Sequence, residues 1–372
     1  MDGGESKQSP ASSDGEEESS PEQEQEQGSE MLERERHVAF LGMMGELLPG
    51  EYQSQEINRL TLAYFVISSL DLLRSLHLVD KDAIATWVLS FQVLPVAKAE
   101  MSNGQFYGFC GSTSSQYPLG ENGAAILNHS HLASTYCALA ILKIIGHGLA
   151  SINSKSISTS LRNLQQDDGS FLPIHIGAET DLRFTYCAVA ICSMLEDWSG
   201  IDREKAKDFI VKCQTYDGGF GMVPGSESHG GGTYCAVASL RLMGYIEDDI
   251  LSKGASSSII NIPLVLEWCL QRQAADGGFQ GRLNKPSDTC YAFWVGSVLR
   301  ILGAHKMIDG KSLHGFLCMC QSKYGGFSKY PYELPDLYHS CYGFTAFSLL
   351  EEPYLGSLCP ELGITDAAAQ RI

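Results

Sequence analysis

The stretch Gln-Thr-Tyr-Asp-Gly-Gly-Phe, residues 214–220, is one of four copies of the pattern Gln-x-x-x-Gly-x-Phe in this chain of 372 residues. The other copies occupy residues 165–171, 273–279 and 321–327, so successive copies start 49, 59 and 48 residues apart. A period near 50 residues indicates a supersecondary unit that cannot bury its apolar face alone. The sequence therefore predicts an array of such units.

A second signature follows each turn after a small or polar loop. It reads Thr-Tyr-Cys-Ala at residues 135–138, 185–188 and 233–236, with the variants Thr-Cys-Tyr-Ala at 289–292 and Ser-Cys-Tyr-Gly at 340–343. On the C-terminal side of this signature lies a uniformly apolar stretch, such as residues 138–145, which is typical of a buried helix. Ahead of each repeat Gln lies an amphipathic stretch, such as residues 203–214, which predicts an outer helix.

Each unit is thus an outer helix, a Gly-rich turn, a loop and an inner helix. Five units are visible, and an earlier helical pair at residues 61–73 and 81–92 is predicted to supply a sixth. We predict an all-α fold, a closed α/α barrel of six helical hairpins with inner and outer helix rings. An open solenoid is the alternative architecture.

Composition separates a tail from the repeats. Residues 1–30 hold ten acidic residues and one Lys, and we expect a disordered acidic tail because so little apolar surface is available there. The tail carries a net charge of −9 (1 − 10), half of the chain's −18, so nothing indicates nucleic-acid binding. Residues 31–372 are predicted to form one barrel domain with repeats of about 50 residues, and the small-residue insertion at 252–258 is predicted to be a surface loop.

The twelve cysteines show no disulfide framework, and the sequence contains neither a secretory segment nor an apolar run of about 18 residues. These features favour a cytoplasmic protein without a membrane span. Most of the thiols are expected to fill the core. A metal pair formed by Cys318 and Cys320 is the less favoured alternative.

The residue just before the second signature varies from unit to unit, and it is Asp288 in one unit and His339 in the next. Cys290 lies two residues after Asp288. If equivalent positions of adjacent units face one cavity, these three side chains form a Zn²⁺ site with an open coordination position, as catalytic sites have. Taken singly, each has a duller explanation: a helix cap, a packed thiol and a surface histidine.

Cationic side chains gather where the inner helices are predicted to begin. His131, His229 and Lys285 each precede the signature Thr by four residues. Positive groups beside helix N-termini favour an anion, and a phosphate or diphosphate is the expected ligand, with a solvated basic rim as the alternative. The further members of this group are Arg183, Arg282 and Lys329.

Three segments carry a resemblance to a known family. Residues 281–294 read Gly-Arg-Leu-Asn-Lys-Pro-Ser-Asp-Thr-Cys-Tyr-Ala-Phe-Trp, residues 227–231 read Glu-Ser-His-Gly-Gly, and residues 336–339 read Asp-Leu-Tyr-His. They resemble the signature segments of protein prenyltransferase β subunits, a likeness that runs from about residue 31 to 350. Within that family they are most similar to the type I geranylgeranyl branch of the plant kind.

The resemblance implies a toroid like those of prenyltransferases and terpenoid cyclases, bound to a separate helical-repeat α subunit. Such a heterodimer transfers a geranylgeranyl group from geranylgeranyl diphosphate to the Cys thiolate of C-terminal Cys-a-a-X proteins. X is mostly Leu, and the substrates are Rho/Rac/Rop-like small GTPases. One Zn²⁺ per β subunit would be held by Asp288, Cys290 and His339.

The resemblance also assigns further residues to the site. Tyr291 would hold the diphosphate together with His229, Arg282 and Lys285. Arg183, Phe184, His131 and Ala133 match positions in the isoprenoid and peptide pockets.

Two positions resemble the geranylgeranyl branch and one does not. Thr61 stands where farnesyl enzymes have Trp, and the smaller side chain of Thr deepens the lipid tube. Lys329 stands where those enzymes have an Asp that helps to hold Mg²⁺. No Mg²⁺ requirement is therefore expected. Tyr342 resembles the farnesyl branch, where an aromatic hydroxyl helps to shorten the tube.

Other functions remain open at this point. A farnesyltransferase β subunit is the nearest alternative. Triterpene cyclases share the Gln-x-x-x-Gly-x-Phe repeat, but their Asp-x-Asp-Asp acid is absent from this sequence. A non-catalytic α/α-barrel scaffold is the alternative from a different class.

Overall fold

A computed structural model of the chain describes residues 31–94, 106–112, 130–247, 250–251 and 259–371. The tail predicted at residues 1–30 and the loop predicted at 252–258 lie outside the described residues. Within them, twelve of the α-helices form two concentric rings.

The inner ring closes on itself. Each inner helix packs against the next, and the last packs against the first, so the barrel prediction is confirmed and the open solenoid is excluded. The inner helices are α2 (Arg59–Leu72), α4 (Leu132–Ile145), α6 (Leu182–Leu195), α8 (Gly230–Leu242), α10 (Thr289–Ile301) and α12 (Leu337–Leu349).

An outer helix precedes each inner helix in the chain, which gives six hairpins. The outer helices are α1 (Arg34–Glu46), α3 (Lys81–Leu89), α5 (Ser154–Leu164), α7 (Arg203–Lys212), α9 (Ile262–Leu270) and α11 (Gly310–Met319).

The predicted sixth unit is corrected by this order. Residues 61–73 and 81–92 are not one hairpin, because α2 is the inner helix of the first unit and α3 is the outer helix of the second. The first unit begins with α1, which we did not predict. No Gln-x-x-x-Gly-x-Phe copy lies between α1 and α2, so the repeat did not indicate a helix there.

The inner helices are apolar all round because both of their sides are covered. In α4 every residue from Ala138 to Leu142 is fully buried, between the outer ring and neighbouring inner helices. Ala and Cys recur in these helices because small side chains let neighbouring helices approach closely. All twelve cysteines are free thiols and eleven are buried, as expected for core filling.

The repeat Gln joins one outer helix to the next. The side-chain amide of Gln273, after α9, donates to Asp309 O and accepts from Asp309 N at the start of α11, both at 2.9 Å. Gln165 makes the same two bonds to Asp202 at the start of α7. Gln321 accepts from Glu33 N at 2.9 Å, so the last copy reaches the first outer helix.

The Gly and Phe of the repeat fix the turn that follows. At Gly218 the backbone φ is +98°, and a Cβ would lie 2.3 Å from Leu264 O of the next outer helix. Only glycine satisfies both the conformation and the close approach. Phe220 is fully buried and anchors the turn to the core.

The barrel has one end where the inner helices begin, which we call the mouth, and a far end where they finish. The C-terminal segment covers the far end. Gly356 donates to Leu72 O at the end of α2 (2.7 Å), and Arg371 donates to Lys143 O near the end of α4 (3.2 Å). This segment contains β3 (Leu358–Cys359), β4 (Ile364–Thr365) and α13 (Asp366–Ala369).

The strands are each only two residues long. β3 pairs with β4, and β1 (Gln92–Val93) pairs with β2 (Gly108–Phe109), both antiparallel. Among the described helices none combines the length and the apolar character needed to cross a bilayer.

Candidate active site

Five inner helices begin at equivalent N-cap residues around the mouth. In three consecutive units the cap is nine residues after the Phe of the repeat, and its N–H donates to that Phe carbonyl. The bonds are His229 to Phe220 (2.9 Å), Asp288 to Phe279 (3.1 Å) and Asp336 to Phe327 (3.2 Å). The corresponding caps of α4 and α6 are His131 and Asp181.

This register contradicts two of the sequence inferences. Asp288 and His339 do not share a repeat position, because Asp288 caps α10 whereas His339 is the third residue of α12. Lys285 is not equivalent to His131 and His229, because it lies in the loop three residues before the α10 cap.

The error arose because the Thr of the second signature does not occupy the same helix position in every unit. Thr233 is the fourth residue of α8, whereas Thr289, which we matched to it, is the first residue of α10. Counting nine residues from the Phe of the repeat would have given the correct register.

Asp288 and His339 nevertheless meet, because a cap residue faces the third residue of the next inner helix. Asp288 Oδ1 lies 3.3 Å from His339 Nε2. One helix earlier, His229 Nε2 lies 3.0 Å from the hydroxyl of Tyr291, the third residue of α10. The same relation therefore recurs around the mouth with different side chains.

Asp288, Cys290 and His339 form a cluster whose ligand atoms all lie within 4.8 Å of one another. Among the described residues no other group of three such side chains has this arrangement. Zn²⁺ bonds of about 2.0–2.3 Å in tetrahedral geometry place ligand atoms roughly 3.3–3.8 Å apart. A carboxylate, a thiol and an imidazole at this spacing fit a zinc ion with one position left for a substrate.

Asp336, which sequence reasoning missed, orients His339. Its carboxylate accepts from His339 N at 2.8 Å and contacts His339 Nδ1 at 2.6 Å. Burial by itself would lower the pKa of His339, but the hydrogen bonds to Asp288 and Asp336 raise it to about 9. A carboxylate on the far nitrogen of a ligating histidine is the usual partner at metal centres.

The thiol of Cys290 needs a nearby cation in order to ionise. Burial, followed by the charge of Asp288, raises its pKa well above the usual range. Burial would also raise the pKa of Asp288, but its hydrogen bonds to His339 and Cys290 lower it overall. A divalent cation bound here would supply the charge that favours a thiolate.

His229 and Tyr291 are in contact, and both side chains are neutral hydrogen-bond donors. His229 Nδ1 accepts from Gly231 N at 3.0 Å, so Nε2 carries the proton of the neutral ring and donates to the Tyr291 hydroxyl. Burial, and then the charge of Arg282, lower the pKa of His229. Burial raises the pKa of Tyr291. Tyr291 therefore keeps its own proton for an acceptor in the mouth.

The predicted cations lie near these residues and are partly exposed. Lys329 Nζ is 3.9 Å from Asp288 Oδ2 and lies over the Tyr330 ring. Arg282 pairs with Glu227 at 3.2 Å, and both side chains are about half exposed. Such a pair is weak, so the guanidinium remains available to a stronger anion. Lys285 is exposed on the same loop as Arg282.

The predicted isoprenoid and peptide residues lie on α2, α4 and α6. Arg183 forms a salt bridge with Asp181, with Nη2 2.7 Å from Oδ2. Asp181 was not among the predicted site residues. His131 and Phe184 contact each other edge to face, with ring centres 5.8 Å apart. The other predicted members are Ala133, the half-buried second residue of α4, and Thr61, whose Oγ1 lies 3.7 Å from Cys137 Sγ.

Tyr342 belongs to an aromatic cluster inside the barrel. Its ring stacks on Phe293 (4.9 Å) and contacts Trp294 and Tyr338 (4.7 Å each). Trp294 Nε1 donates to the Tyr338 hydroxyl at 3.2 Å. Sequence reasoning missed Tyr338, although it lies directly before the candidate ligand His339.

A toroid of helical hairpins with a carboxylate–thiol–imidazole cluster beside a cationic mouth defines the class of protein. The Prenyltransferase alpha-alpha toroid domain matches residues 32–364, and the chain belongs to that family. It is 66% identical over 341 residues to the geranylgeranyl transferase type-1 subunit beta of Arabidopsis thaliana. That match covers 92% of this chain and 91% of the relative.

A solved structure and a second relative extend the comparison. Candida albicans protein geranylgeranyltransferase-I complexed with GGPP superimposes with a TM-score of 0.77 at 27% identity, over 91% of this chain and 97% of that one. The protein farnesyltransferase subunit beta of Arabidopsis thaliana is 30% identical over 76% of this chain and 52% of its own length.

Proposed function

We propose that this chain is the catalytic β subunit of a heterodimeric protein geranylgeranyltransferase type I. The observation that carries the proposal is the 66% identity, along nearly the whole of both chains, to the Arabidopsis type-1 subunit beta. The farnesyltransferase subunit beta of the same plant is only 30% identical. The alternative of a non-catalytic scaffold has no comparable support.

The reaction is a displacement at C1 of geranylgeranyl diphosphate. The thiolate of a C-terminal Cys-a-a-X protein forms a C–S bond as the C1–O bond breaks, and pyrophosphate leaves with the electron pair. X is mostly Leu, and Rho/Rac/Rop-like small GTPases are the proposed substrates.

Asp288, Cys290 and His339 would hold one Zn²⁺, which when bound lowers the pKa of a coordinated substrate thiol to give a nucleophile at neutral pH. Asp336 keeps His339 in the orientation that directs Nε2 toward Asp288. The donor set supports zinc because it combines a soft thiolate with an imidazole and a carboxylate.

The leaving diphosphate is bound by Tyr291 and the cations of the mouth. Tyr291 donates its proton to a phosphate oxygen while His229 Nε2–H donates to the Tyr291 oxygen. Arg282 and Lys285 add charge from the loop before α10. These donors stabilise the negative charge that grows on the bridging oxygen as the C–O bond breaks.

Lys329 supports a reaction that does not require Mg²⁺. Its ammonium lies 3.9 Å from Asp288 Oδ2, beside the candidate metal cluster. A hydrogen bond with Tyr330 is the main cause that raises the pKa of Lys329, so it is fully charged at neutral pH.

Substrate selection is assigned to residues at the mouth ends of α2, α4 and α6. Thr61 leaves room for a 20-carbon tail, and His131, Ala133, Arg183 and Phe184 contact the isoprenoid and the peptide. The α subunit completes the heterodimer, and the enzyme acts in the cytoplasm.

Co-expression with a candidate α subunit tests the proposal. The purified heterodimer should contain one zinc per β subunit and transfer a 20-carbon group to a Cys-a-a-Leu peptide without added Mg²⁺. A Ser-a-a-Leu peptide should not react, because it lacks the thiol. A heterodimer that binds neither zinc nor geranylgeranyl diphosphate would contradict the proposal.

The farnesyl alternative is motivated by Tyr342 and is decided by the same assay with farnesyl diphosphate and a Cys-a-a-Ser peptide. We expect kcat/KM to favour the 20-carbon donor. Thr61→Trp should shift the preference toward the 15-carbon donor. A wild-type preference for the 15-carbon donor would favour the alternative.

A further inference from the structure

In two units the Asp of the repeat turn bonds to the loop that leads into the inner helix. Asp217 Oδ1 accepts from the hydroxyl of Ser228 at 2.5 Å, and Asp276 Oδ1 accepts from the hydroxyl of Ser287 at 2.8 Å. Each Asp is three residues after the repeat Gln, and each Ser is 11 residues further along the chain. The two bonds are therefore one contact that recurs in adjacent units.

Each of these serines directly precedes a cap residue of the mouth. Ser228 precedes His229, and Ser287 precedes Asp288. Both serines are buried, and each cap N–H donates to the carbonyl of the repeat Phe. The main chain is thus held at both ends of the peptide that joins the serine to the cap.

The second glycine of the repeat leaves the space that the serine fills. A Cβ at Gly219 would lie 2.7 Å from Ser228 Cβ, and a Cβ at Gly278 would lie 2.7 Å from Ser287 Cβ. Carbon atoms that are not bonded do not approach so closely, because attraction between them is optimal at about 3.5–4.0 Å. A side chain at either glycine would therefore displace the serine from the carboxylate.

The units with the other caps fill these positions differently. In the unit of α6, Asp168 accepts from the hydroxyl of Ser170 in its own turn at 2.7 Å. Ser130, which precedes the cap His131, donates to Phe106 O at 3.0 Å. In the last unit a Tyr and a Pro occupy the two positions. Among the described residues, a turn Asp thus bonds to the residue before the cap in the two units whose caps are assigned to the diphosphate and the metal.

Asp217 makes this contact as a carboxylate. Burial would raise its pKa, but hydrogen bonds from Ser228 and Thr215 lower it overall. An ionised carboxylate can only accept, so the Ser228 hydroxyl must donate to it. Such a bond is roughly twice as strong as one between neutral groups. The residue before the cap is therefore held firmly against the turn.

We propose that Asp217 and Asp276 are positioning residues for His229 and Asp288, each acting through the serine that precedes the cap. The proposal rests on the proposed function, because it takes these caps as a diphosphate-binding residue and a zinc ligand. Groups in such sites must be held within about 0.5 Å of their productive geometry. Without the bond to the turn, the loop would let the imidazole move away from Tyr291 and the carboxylate away from the metal.

Zinc affinity of the purified heterodimer, measured by competition with a chelator, tests Asp276. We expect Asp276→Asn and Ser287→Ala each to weaken zinc binding about tenfold, the low end of the range for groups behind metal ligands. Ser287→Ala keeps every charge, so its effect cannot come from a missing carboxylate. The double variant should lose no more than either single variant, because both changes remove the same contact.

Binding of inorganic pyrophosphate to the heterodimer tests Asp217. We expect Asp217→Asn and Ser228→Ala each to weaken it about fivefold, which corresponds to about one hydrogen bond. Removal of a negative charge would by itself strengthen the binding of an anion. Weaker binding in Asp217→Asn would therefore identify lost positioning, and zinc affinity should stay unchanged in both variants.

Asp168→Asn is the matched control, because it removes the same carboxylate from a turn where the bond stays within the turn. It should lower the unfolding temperature but change neither affinity. If the Asp217 and Asp276 variants change the two affinities no more than Asp168→Asn does, the positioning role is wrong. A wild-type heterodimer that binds neither zinc nor pyrophosphate would instead contradict the proposed function. If an Asn variant does not assemble, the Ala variant of its partner serine decides.

Discussion

Two neighbouring contacts at the mouth have the same geometry and opposite electrostatics. Between α8 and α10, His229 meets Tyr291 at 3.0 Å, and between α10 and α12, Asp288 meets His339 at 3.3 Å. Each joins an N-cap residue to the third residue of the next inner helix. The pKa of His229 is lowered, whereas that of His339 is raised to about 9.

The difference comes from the side chains around the two histidines. His229 is buried beside the cation Arg282, so its neutral form is favoured. His339 lies between the carboxylates of Asp288 and Asp336, so a positive charge is favoured there. One backbone arrangement therefore favours a neutral histidine at one position and a positively charged one at the next, and the neighbouring side chains select which.

The largest expected effect is the loss of the metal in Asp288→Ala. Removing the carboxylate leaves two ligands, so we expect zinc affinity to fall by more than about 100-fold and transfer to fall to background. Zinc content by mass spectrometry and competition with a chelator measure it in the purified heterodimer.

Asp181→Ala is the control, because Asp181 is the cap of α6 and bonds to the N–H two residues on, as Asp288 does. Each variant loses about 0.5–2 kcal/mol of cap stability, but only Asp288→Ala should lose zinc. Equal zinc content in the two variants would show that the cluster is not the metal site.

Lys329→Asp should make the reaction depend on Mg²⁺. Loss of the ammonium removes a charge that stabilises the leaving diphosphate, so we expect kcat without Mg²⁺ to fall about 100-fold and to recover in part with millimolar Mg²⁺. Lys323→Asp is the control, since Lys323 also lies over a tyrosine ring but on a repeat turn. Equal activity with and without Mg²⁺ in Lys329→Asp would refute this role.

Tyr291→Phe should have a smaller effect, because one hydroxyl is lost while the surrounding cations remain. A hydrogen bond of about 1.4 kcal/mol corresponds to a roughly tenfold fall in kcat/KM. Zinc content should not change, which distinguishes this contact from the one between Asp288 and His339. Tyr245→Phe, which removes a hydroxyl from a surface contact with Glu204, should leave kcat/KM unchanged.

The smallest effect is a change in the titration of His229. Its folded pKa lies below 6.5, so the contribution of its neutral form to stability is present above pH 6.5 and is lost as the pH falls through the lowered value. Pyrophosphate binding should raise this pKa, because an adjacent anion favours the imidazolium. Proton–carbon NMR of labelled heterodimer measures the shift.

His131 is the internal reference for that titration. It is also a cap, and burial lowers its pKa, but it lies on α4. If pyrophosphate shifts the pKa of His131 more than that of His229, the anion binds beside α4 and not at the proposed site beside α8.

The sequence predicted the architecture well because the repeat is a physical constraint. The repeat Gln, Gly and Phe each make a contact that the array requires, as at Gln273, Gly218 and Phe220. The first unit was misassigned because α1 is followed by no such copy. The single-domain boundary and the acidic tail stay predictions.

The three candidate zinc ligands were selected with a wrong alignment, yet the structure brings them together. Asp288, Cys290 and His339 were chosen because their side chains suit Zn²⁺, and the structure brings their ligand atoms within 4.8 Å. Asp336 was missed because a capping Asp is ordinary in a sequence, and only its contact with His339 Nδ1 shows its second role.

The sequence by itself determined the helical array, the buried inner helices and the chemistry available at the mouth. These follow from periodicity, from apolar composition and from residue type, which are local properties of the chain. Only the tertiary structure decided which side chains meet across helices and where the interior ends. Those contacts depend on the start of each inner helix and on the path of the C-terminal segment across the far end, because small shifts along a helix axis change the partner of every side chain.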